Sequence, residues 1–390
     1  MAVPRVRLSR PLHRTILAGH PWVYRDAIDG RLPAPGTEVA VVDGRGRVLG
    51  RGLSESGPIG VRMWTTRDEP VDAALLGRRL DAAIELRRRV VPRKTDAFRL
   101  VHGEGDRIPG VVVDMYGRFA VVALDGDAAR LRRDFVLAAL SPRLRALGVA
   151  TVIARWGRRE DRTLEVVSGA EPPEVLEVTE RGMTLCVDLH RGQKTGLFLD
   201  QRTSRSQVRA LARDRSVLDL YAYVGGFSVA AGRGGATKVT TVDIAPAAIE
   251  LSRRAWEANG LPDTRHRALA RDVPALLTEL LAGPERFDLI IADPPSFAPS
   301  AATRDKALGA YEALHRSCLS LLAPGGLLLA ASCSSHVDRA AFEGALSRAA
   351  ASQGLVIQVI DRWAAPPDHP RLLGFDEGDY LVVTLVRVVH

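Results

Sequence analysis

Cysteine is scarce in this 390-residue chain, which carries only Cys186, Cys318 and Cys333. The last of them ends the apolar run "LLLAASCSSH" (327–336), between two serines. A thiol placed there is either a small buried hydrophobe or a nucleophile displayed where a strand opens into a crevice. A second apolar run, "IIADPPSF" (290–297), ends on Asp293. Pro294 and Pro295 fix the backbone φ angles after it and remove two donors. With Phe297 they form a stiff, partly apolar lip carrying one carboxylate, which suits a flat heterocycle held by hydrogen bonds and stacking. A Pro-rich loop after a strand is the plain alternative.

A third motif, "DLYAYVGGFS" (219–228), brings together Asp219, Tyr221, Gly225, Gly226 and Phe227. Adjacent glycines let the backbone approach a ligand closely. The spacing is not GxGxxG, and no Lys or Ser/Thr set for phosphates follows. The next apolar run ends on Asp243, placed to accept hydrogen bonds from both hydroxyls of a ribose. Asp272 ends the run after that, where it would face an exocyclic adenine amine. Each aspartate alone reads equally well as a helix cap. Carboxylates at successive strand ends point to S-adenosylmethionine, with Asp219 near its amino-acid portion. "KTGLFLDQR" (194–202) uses one of four lysines in a chain that otherwise writes 50 arginines, which favours a compact ammonium at Lys194.

These residues need a frame of alternating strands and helices. From about residue 186 the grammar supplies it: "SVLDLYAYV", "KVTTVDI", "FDLIIADPPSF" and "GLLLAASCSS" read as strands with helical segments between them. The fold class is α/β, an open doubly wound sheet. The chain ends in "GLVIQVIDRW" and "YLVVTLVRVV", two strands with no helix between them. That ending is typical of class I methyltransferase sheets and unlike a nicotinamide dehydrogenase. Upstream, residues 1–66 read as short strands with Gly-rich turns, a small β-barrel domain. Residues 67–185 read as a central α+β domain, with a helix over 71–92, a hairpin in "GVVVDMYGRFAVVALD", a helix near 128–147 and strands near 150–167. The third domain is 186–390.

Composition excludes several classes. No run approaches the roughly 18–20 apolar residues of a membrane span, and the N-terminus has no secretory h-region. The cysteine spacing gives neither a disulfide framework nor a metal pattern. A cytoplasmic protein with reduced thiols, no membrane partner and no metal is expected. The net charge of +8 leans toward an acidic partner, and residues 1–66 hold ten arginines against five acidic residues. "ELRRRVVPRKTDAFR" (85–99) adds six basic residues against two acidic.

"GHPWVYRDAI", "RLVHGEGDRIPGVVVDMYG", "KTGLFLDQRTSR", "DLYAYVGGFS", "DPPSF", "SCSS" and "DHP…EGDYL" occur in that order. Together they resemble the bacterial PUA-containing 23S ribosomal RNA cytosine-5 methyltransferases over nearly the whole chain. The resemblance implies an RNA-binding PUA domain at 1–66, a class I methyltransferase domain at the C-terminus and Cys333 as the nucleophile. It also implies that the segment with Lys194, Phe198, Asp200, Gln201 and Arg202 covers cofactor and target base. Ser296 departs from the pattern, since many relatives carry Lys after the two prolines.

The chemistry explains the cysteine. Carbon 5 of cytosine is too weak a nucleophile to take a methyl group directly. A thiolate adding to carbon 6 pushes electron density to carbon 5. Asp293 at the ring's nitrogen edge would stabilise the adduct, and the site is expected to favour the thiolate. Cys186 and Cys318 read as structural. The base that removes the carbon 5 proton is not identified; Asp368 and His369 are candidates. Uracil-5 methylation uses the same thiol addition and stays open, as does a non-catalytic ribosome-assembly protein. An exocyclic-amine methyltransferase would need no cysteine. The target nucleotide, and whether the chain forms a homodimer, are not legible.

Overall fold

The computed structural model describes residues 3–157, 163–298, 301–334 and 336–389. Parts of two expectations fall elsewhere: residues 158–162 of the strands near 150–167, and Ser335 of "SCSS", lie outside the described residues. The chain divides into two compact units. The first is residues 1–173 with 367–378, and the second is 174–366 with 379–390.

In the first unit, six short strands between Arg5 and Thr65 form one sheet. Alternate residues such as Val6, Leu8, Val39, Val41, Val61 and Met63 turn into a single core, as period-2 patterning requires. A five-stranded sheet follows, from Ala97–His102 to Thr163–Ser168. The helix Ala73–Val90 packs on it through Leu76, Leu80 and Ala83. Asp72 caps that helix by accepting from the Leu75 N–H, and it ends just before Pro92. The late segment 367–378 belongs to this unit. Arg87, almost fully buried, grips both Asp106 oxygens at 2.6 Å and donates to the Asp368 carbonyl at 2.8 Å. The Asp368 carboxylate accepts from the Arg99 backbone N–H, and His369 packs on His102. Both candidate proton acceptors are therefore buried and held by residues of the first unit.

The second unit opens with a hairpin, Leu176–Glu180 and Met183–Val187. Its sheet has seven strands: β1 (Ser216–Leu220), β2 (Lys238–Asp243), β3 (His266–Ala270), β4 (Phe287–Ala292), β5 (Leu322–Ser332), β6 (Val356–Trp363) and β7 (Val382–Val389). They run in the order β3-β2-β1-β4-β5-β7-β6. The first five are parallel, and β7 lies antiparallel between β5 and β6. Six helices accompany them: α1 (Arg202–Leu211), α2 (Gly226–Arg233), α3 (Pro246–Ala258), α4 (Val273–Ala282), α5 (Arg304–Ser320) and α6 (Arg339–Ala351). The switch from β1 to β4 creates the crevice at the strands' carboxyl ends where such sheets bind ligands. Strands buried on both faces need near-continuous apolar runs; "LIIA" of β4 and "LLLAA" of β5 are buried throughout.

Candidate active site

Strand register fixes the crevice. Leu220 pairs with Val242 and with Ala292, and Ala292 pairs with Ala330. One residue further along, Tyr221, Asp243, Asp293 and Ala331 share a row, with Cys333 two residues beyond. The chain then leaves β1 in an unusual path. Tyr221 and Tyr223 both have positive φ (60° and 50°) before Gly225 at 73°. Non-glycine residues held there store strain, which clusters at functional sites. Gly225 is required twice over, because an added Cβ would sit 2.6 Å from Ser252 Cβ on α3. Gly226 starts α2, and Phe227 buries into the core behind it.

Asp219 is completely buried. Its Oδ2 accepts from Ser228 Oγ at 2.6 Å, while Oδ1 has no partner. Burial pushes its carboxyl up to about 7, against the Ser228 hydrogen bond. A buried, orphaned acceptor beside a glycine turn is what a ligand's ammonium group would satisfy. Asp243 accepts from the Tyr223 N–H on one oxygen and the Ala245 N–H on the other, 2.8 and 2.9 Å. A carboxylate offers about four acceptor positions, so two remain for ribose hydroxyls. Asp272 is exposed and caps α4, accepting from the Ala275 N–H at 3.0 Å. These residues fit the amino-acid and ribose portions of S-adenosylmethionine.

Asp293 follows β4, half-buried, with its Oδ2 accepting from Gln201 Nε2 at 2.9 Å. Burial, with neighbouring Asp200, pushes its carboxyl up to about 7; Lys194, Gln201 and Arg205 oppose the rise. Cys333 lies across the same crevice, half-buried, its Sγ 4.0 Å from the Pro294 carbonyl. Its thiol is pushed up to about 11 by burial and then by Asp293, with Lys194 pulling the other way. The expectation of a favoured thiolate is thus reversed in the protein alone: one ammonium is outweighed by desolvation and two carboxylates. Cys186 and Cys318 are core residues, raised by burial to about 11 and 12.

The "KTGLFLDQR" segment is a loop, one turn of 3₁₀ helix (Leu199–Gln201) and the start of α1. Lys194 Nζ sits 2.6 Å from Asp200 and 4.3 Å from the Phe198 ring centroid. Tyr380 also donates to Asp200, at 2.8 Å. Tyr223 latches this loop, accepting from the Gln193 N–H and donating to the Gly196 carbonyl. Arg202, expected at the substrate, is 1% exposed at the root of α1. Phe297 leans on Tyr311, ring centroids 4.9 Å apart. Pro294 is buried and Pro295 exposed. Ser296 is tied to Ser334 at 2.8 Å, and the Tyr311 hydroxyl reaches Ser332 at 2.8 Å. The serines beside Cys333 thus anchor its loop to α5 and to the "DPPSF" lip. Sequence reading missed Tyr311, Tyr380, Ser204 and Trp363, whose roles depend on partners far away in the chain.

A family model for S-adenosylmethionine-dependent methyltransferases matches residues 121–378, and one for PUA-like domains matches residues 6–66. The chain is 35% identical over 394 residues to ribosomal RNA large subunit methyltransferase I of Erwinia tasmaniensis, covering 99% of each chain. It is 36% identical over 386 residues to the same-named protein of Alteromonas mediterranea, covering 97% of each. The chain belongs to this S-adenosylmethionine-dependent methyltransferase family. Two solved structures show the same fold: a chain assigned as a methyltransferase from Streptococcus mutans (TM-score 0.88, 23% identity, 99% of this chain and all of that one); and a methyltransferase chain crystallised with S-adenosylhomocysteine (TM-score 0.88, 24% identity, all of both). The cofactor of this family member is S-adenosylmethionine, as its strand-end carboxylates indicated. Among the described residues no helix is long and apolar enough to cross a membrane, and no group of His, Cys, Asp or Glu is arranged to hold a metal ion.

Proposed function

We propose that the chain methylates carbon 5 of a cytosine in 23S ribosomal RNA through a covalent adduct with Cys333. The observation that carries the reading is one crevice in which the half-buried Cys333 thiol lies 4.0 Å from the Pro294 carbonyl, against the loop that carries Asp293, whose carboxyl is pushed up by burial. The names of the relatives supply the RNA class, and the PUA-like domain within 1–66 is the natural RNA-binding element.

Asp219 would hold the cofactor's ammonium and Asp243 its ribose, with Tyr221, Gly225, Gly226 and Phe227 shaping the turn beneath. Asp272, exposed at the start of α4, would face the adenine. Lys194, Phe198 and Gln201 border the same pocket. Bound S-adenosylmethionine supplies an electrophilic methyl group on a sulfonium, and its positive charge favours a thiolate nearby. Cys333 Sγ, its proton passed to solvent water, bonds to carbon 6 of the base. Protonated Asp293 donates to N3, so the electron pair of the 5,6 double bond becomes available at carbon 5. After methyl transfer a base takes the carbon 5 proton. The carbon 6–sulfur bond then breaks with its electrons on Cys333, and the N3 proton returns to Asp293. Cytosine N3 is an acceptor and matches a protonated carboxyl; uracil presents an N–H there. Pro294, Pro295 and Phe297 form the lip for the flipped base, and Arg202 buttresses the segment that covers it.

Nucleoside mass analysis of unmodified 23S RNA incubated with S-adenosylmethionine tests the proposal, using the wild type and Cys333→Ala in parallel. New 5-methylcytidine that disappears in the variant is expected. 5-Methyluridine would move the reaction to uracil, and methylation surviving in Cys333→Ala would overturn the covalent mechanism. No methylated nucleoside at all would favour a non-catalytic RNA-binding role.

A further inference from the structure

The hydrogen bond that Asp293 receives is the end of a longer chain of donors. Trp363, the last residue of β6, directs its indole Nε1–H to Ser204 Oγ at 2.8 Å. Ser204 Oγ donates to Gln201 Oε1 at 2.6 Å, and Gln201 Nε2 donates to Asp293 Oδ2 at 2.9 Å. Ser204 and Gln201 are 0% and 2% exposed, so water does not compete for these groups. The direction of the chain follows from donor chemistry. An indole N–H can only donate. The serine hydroxyl that accepts it keeps its own proton for the next acceptor. That acceptor must be the oxygen of the Gln201 amide, which leaves the NH₂ end facing Asp293. An amide is otherwise ambiguous between its two ends; here a donor two residues removed decides it.

The consequence lies at Asp293. With Oδ2 accepting from Gln201, a proton held by this carboxyl belongs on Oδ1. We propose that Trp363 and Ser204 are positioning residues that act through Gln201 to fix Asp293 in one orientation, so that Oδ1 is the oxygen presented to the base. This rests on the reading of Asp293 as the group that donates to the pyrimidine ring. Without the relay, the amide turns over or relaxes, Oδ2 loses its donor, and the acid presents its proton from either oxygen.

The charged and titratable groups around Asp293 come from every neighbouring element. Lys194 lies in the preceding loop, Asp200 and Arg205 on the 3₁₀ turn and α1, Asp219 on β1, Tyr311 on α5, and Cys333 after β5. Trp363→Phe changes none of these charges. It removes one N–H while keeping most of the ring volume, and Ser204→Ala removes the central hydroxyl with little change in size.

The test is steady-state methylation of 23S RNA by the full chain across pH, with Asp293→Asn marking which break in the kcat profile belongs to Asp293. In Trp363→Phe and Ser204→Ala, kcat falls by roughly tenfold or more with KM for RNA nearly unchanged, as for a lost hydrogen bond to a charged group. The break assigned to Asp293 moves up by about one pH unit, because Gln201's donation favours the carboxylate. In a Gln201→Leu background, adding Trp363→Phe has no further effect on that break, since the relay has already been cut. Additive effects in the double variant, or an unmoved break in both single variants, overturn the proposal. If Trp363→Phe does not fold, Ser204→Ala alone decides the same question. Failure of the Asp293 reading would show differently: Asp293→Asn would remove no break at all.

Discussion

Asp219→Asn should make the cofactor-free protein more stable at pH 8 while weakening its hold on the cofactor. Asp219 is 0% exposed and its carboxyl is raised from 3.8 to about 7, first by burial. In the unfolded chain the same group ionises at its ordinary value. Between these two pH values the native state holds a proton that the unfolded state has lost, so stability falls as the pH rises through the window. Above pH 7 the penalty is complete, about 4 kcal/mol; at pH 5 it is about 2 kcal/mol. Asparagine carries no such penalty and its side-chain oxygen still accepts from Ser228. Its NH₂ group lacks a partner where Oδ1 now lies, which costs roughly 1–2 kcal/mol. The net expectation is a gain of about 2–3 kcal/mol at pH 8 and close to none at pH 5. For a unit of this size that is a rise in Tm of roughly 5–10 °C at pH 8. Thermal melts of both proteins at the two pH values measure it, with calorimetric titration of S-adenosylhomocysteine alongside. Affinity should fall by about tenfold or more, the loss of a charge-assisted hydrogen bond. An asparagine variant that melts lower at pH 8, or whose advantage is the same at both pH values, would refute the assignment of Asp219 as a destabilising, ligand-facing carboxylate.

Alkylation by iodoacetamide in the absence of cofactor should be slow at pH 7 and speed up about tenfold per pH unit to near pH 10, because only the thiolate reacts. Peptide mapping should place that label on Cys333, leaving Cys186 and Cys318 unmodified until the protein unfolds; a pH-independent rate between 7 and 9 would contradict the raised thiol. Gly225→Ala should destabilise by roughly 2–4 kcal/mol, since it combines a positive φ with a 2.6 Å clash against Ser252. Gly260→Ala is the control: its φ is also positive, at 64°, but open space surrounds it, so the cost is about 1 kcal/mol. Equal denaturation midpoints for the two variants would count against the close approach of the turn to α3.

Much was legible before any coordinates because the relevant signals are local. Apolar runs of strand length carry Asp243 and Asp293 to the strand ends on either side of β1, with Asp219 buried just inside the end of β1 itself, since parallel strands buried on both faces must be nearly continuous hydrophobic runs. The final pair of strands without a helix was equally plain, and so was the scarcity of cysteine. The Gly225 turn was readable from its glycines, although the positive φ values at Tyr221 and Tyr223 were not, because no local rule places an aromatic residue there.

What tertiary structure alone decided concerns groups brought together from distant positions. Asp368 and His369 carry residue types suited to proton transfer, yet their segment folds back into the first unit, where Arg87 and Arg99 hold it. Asp272 stands at the expected strand end, but it is exposed and spends an oxygen on its own helix. The protonation of Asp293 and Cys333 could not be read from composition, because it is set by desolvation and by Asp200 and Lys194 across the crevice. Trp363 and Ser204, 159 residues apart, gave no signal in the sequence, since a hydrogen-bond chain has no period. The sequence by itself determined which strands form and where their carboxylates fall, because side-chain alternation and burial act residue by residue. The electrostatics and the directed hydrogen bonds that make those carboxylates chemically distinct arose only when the folded sheet put them side by side without water.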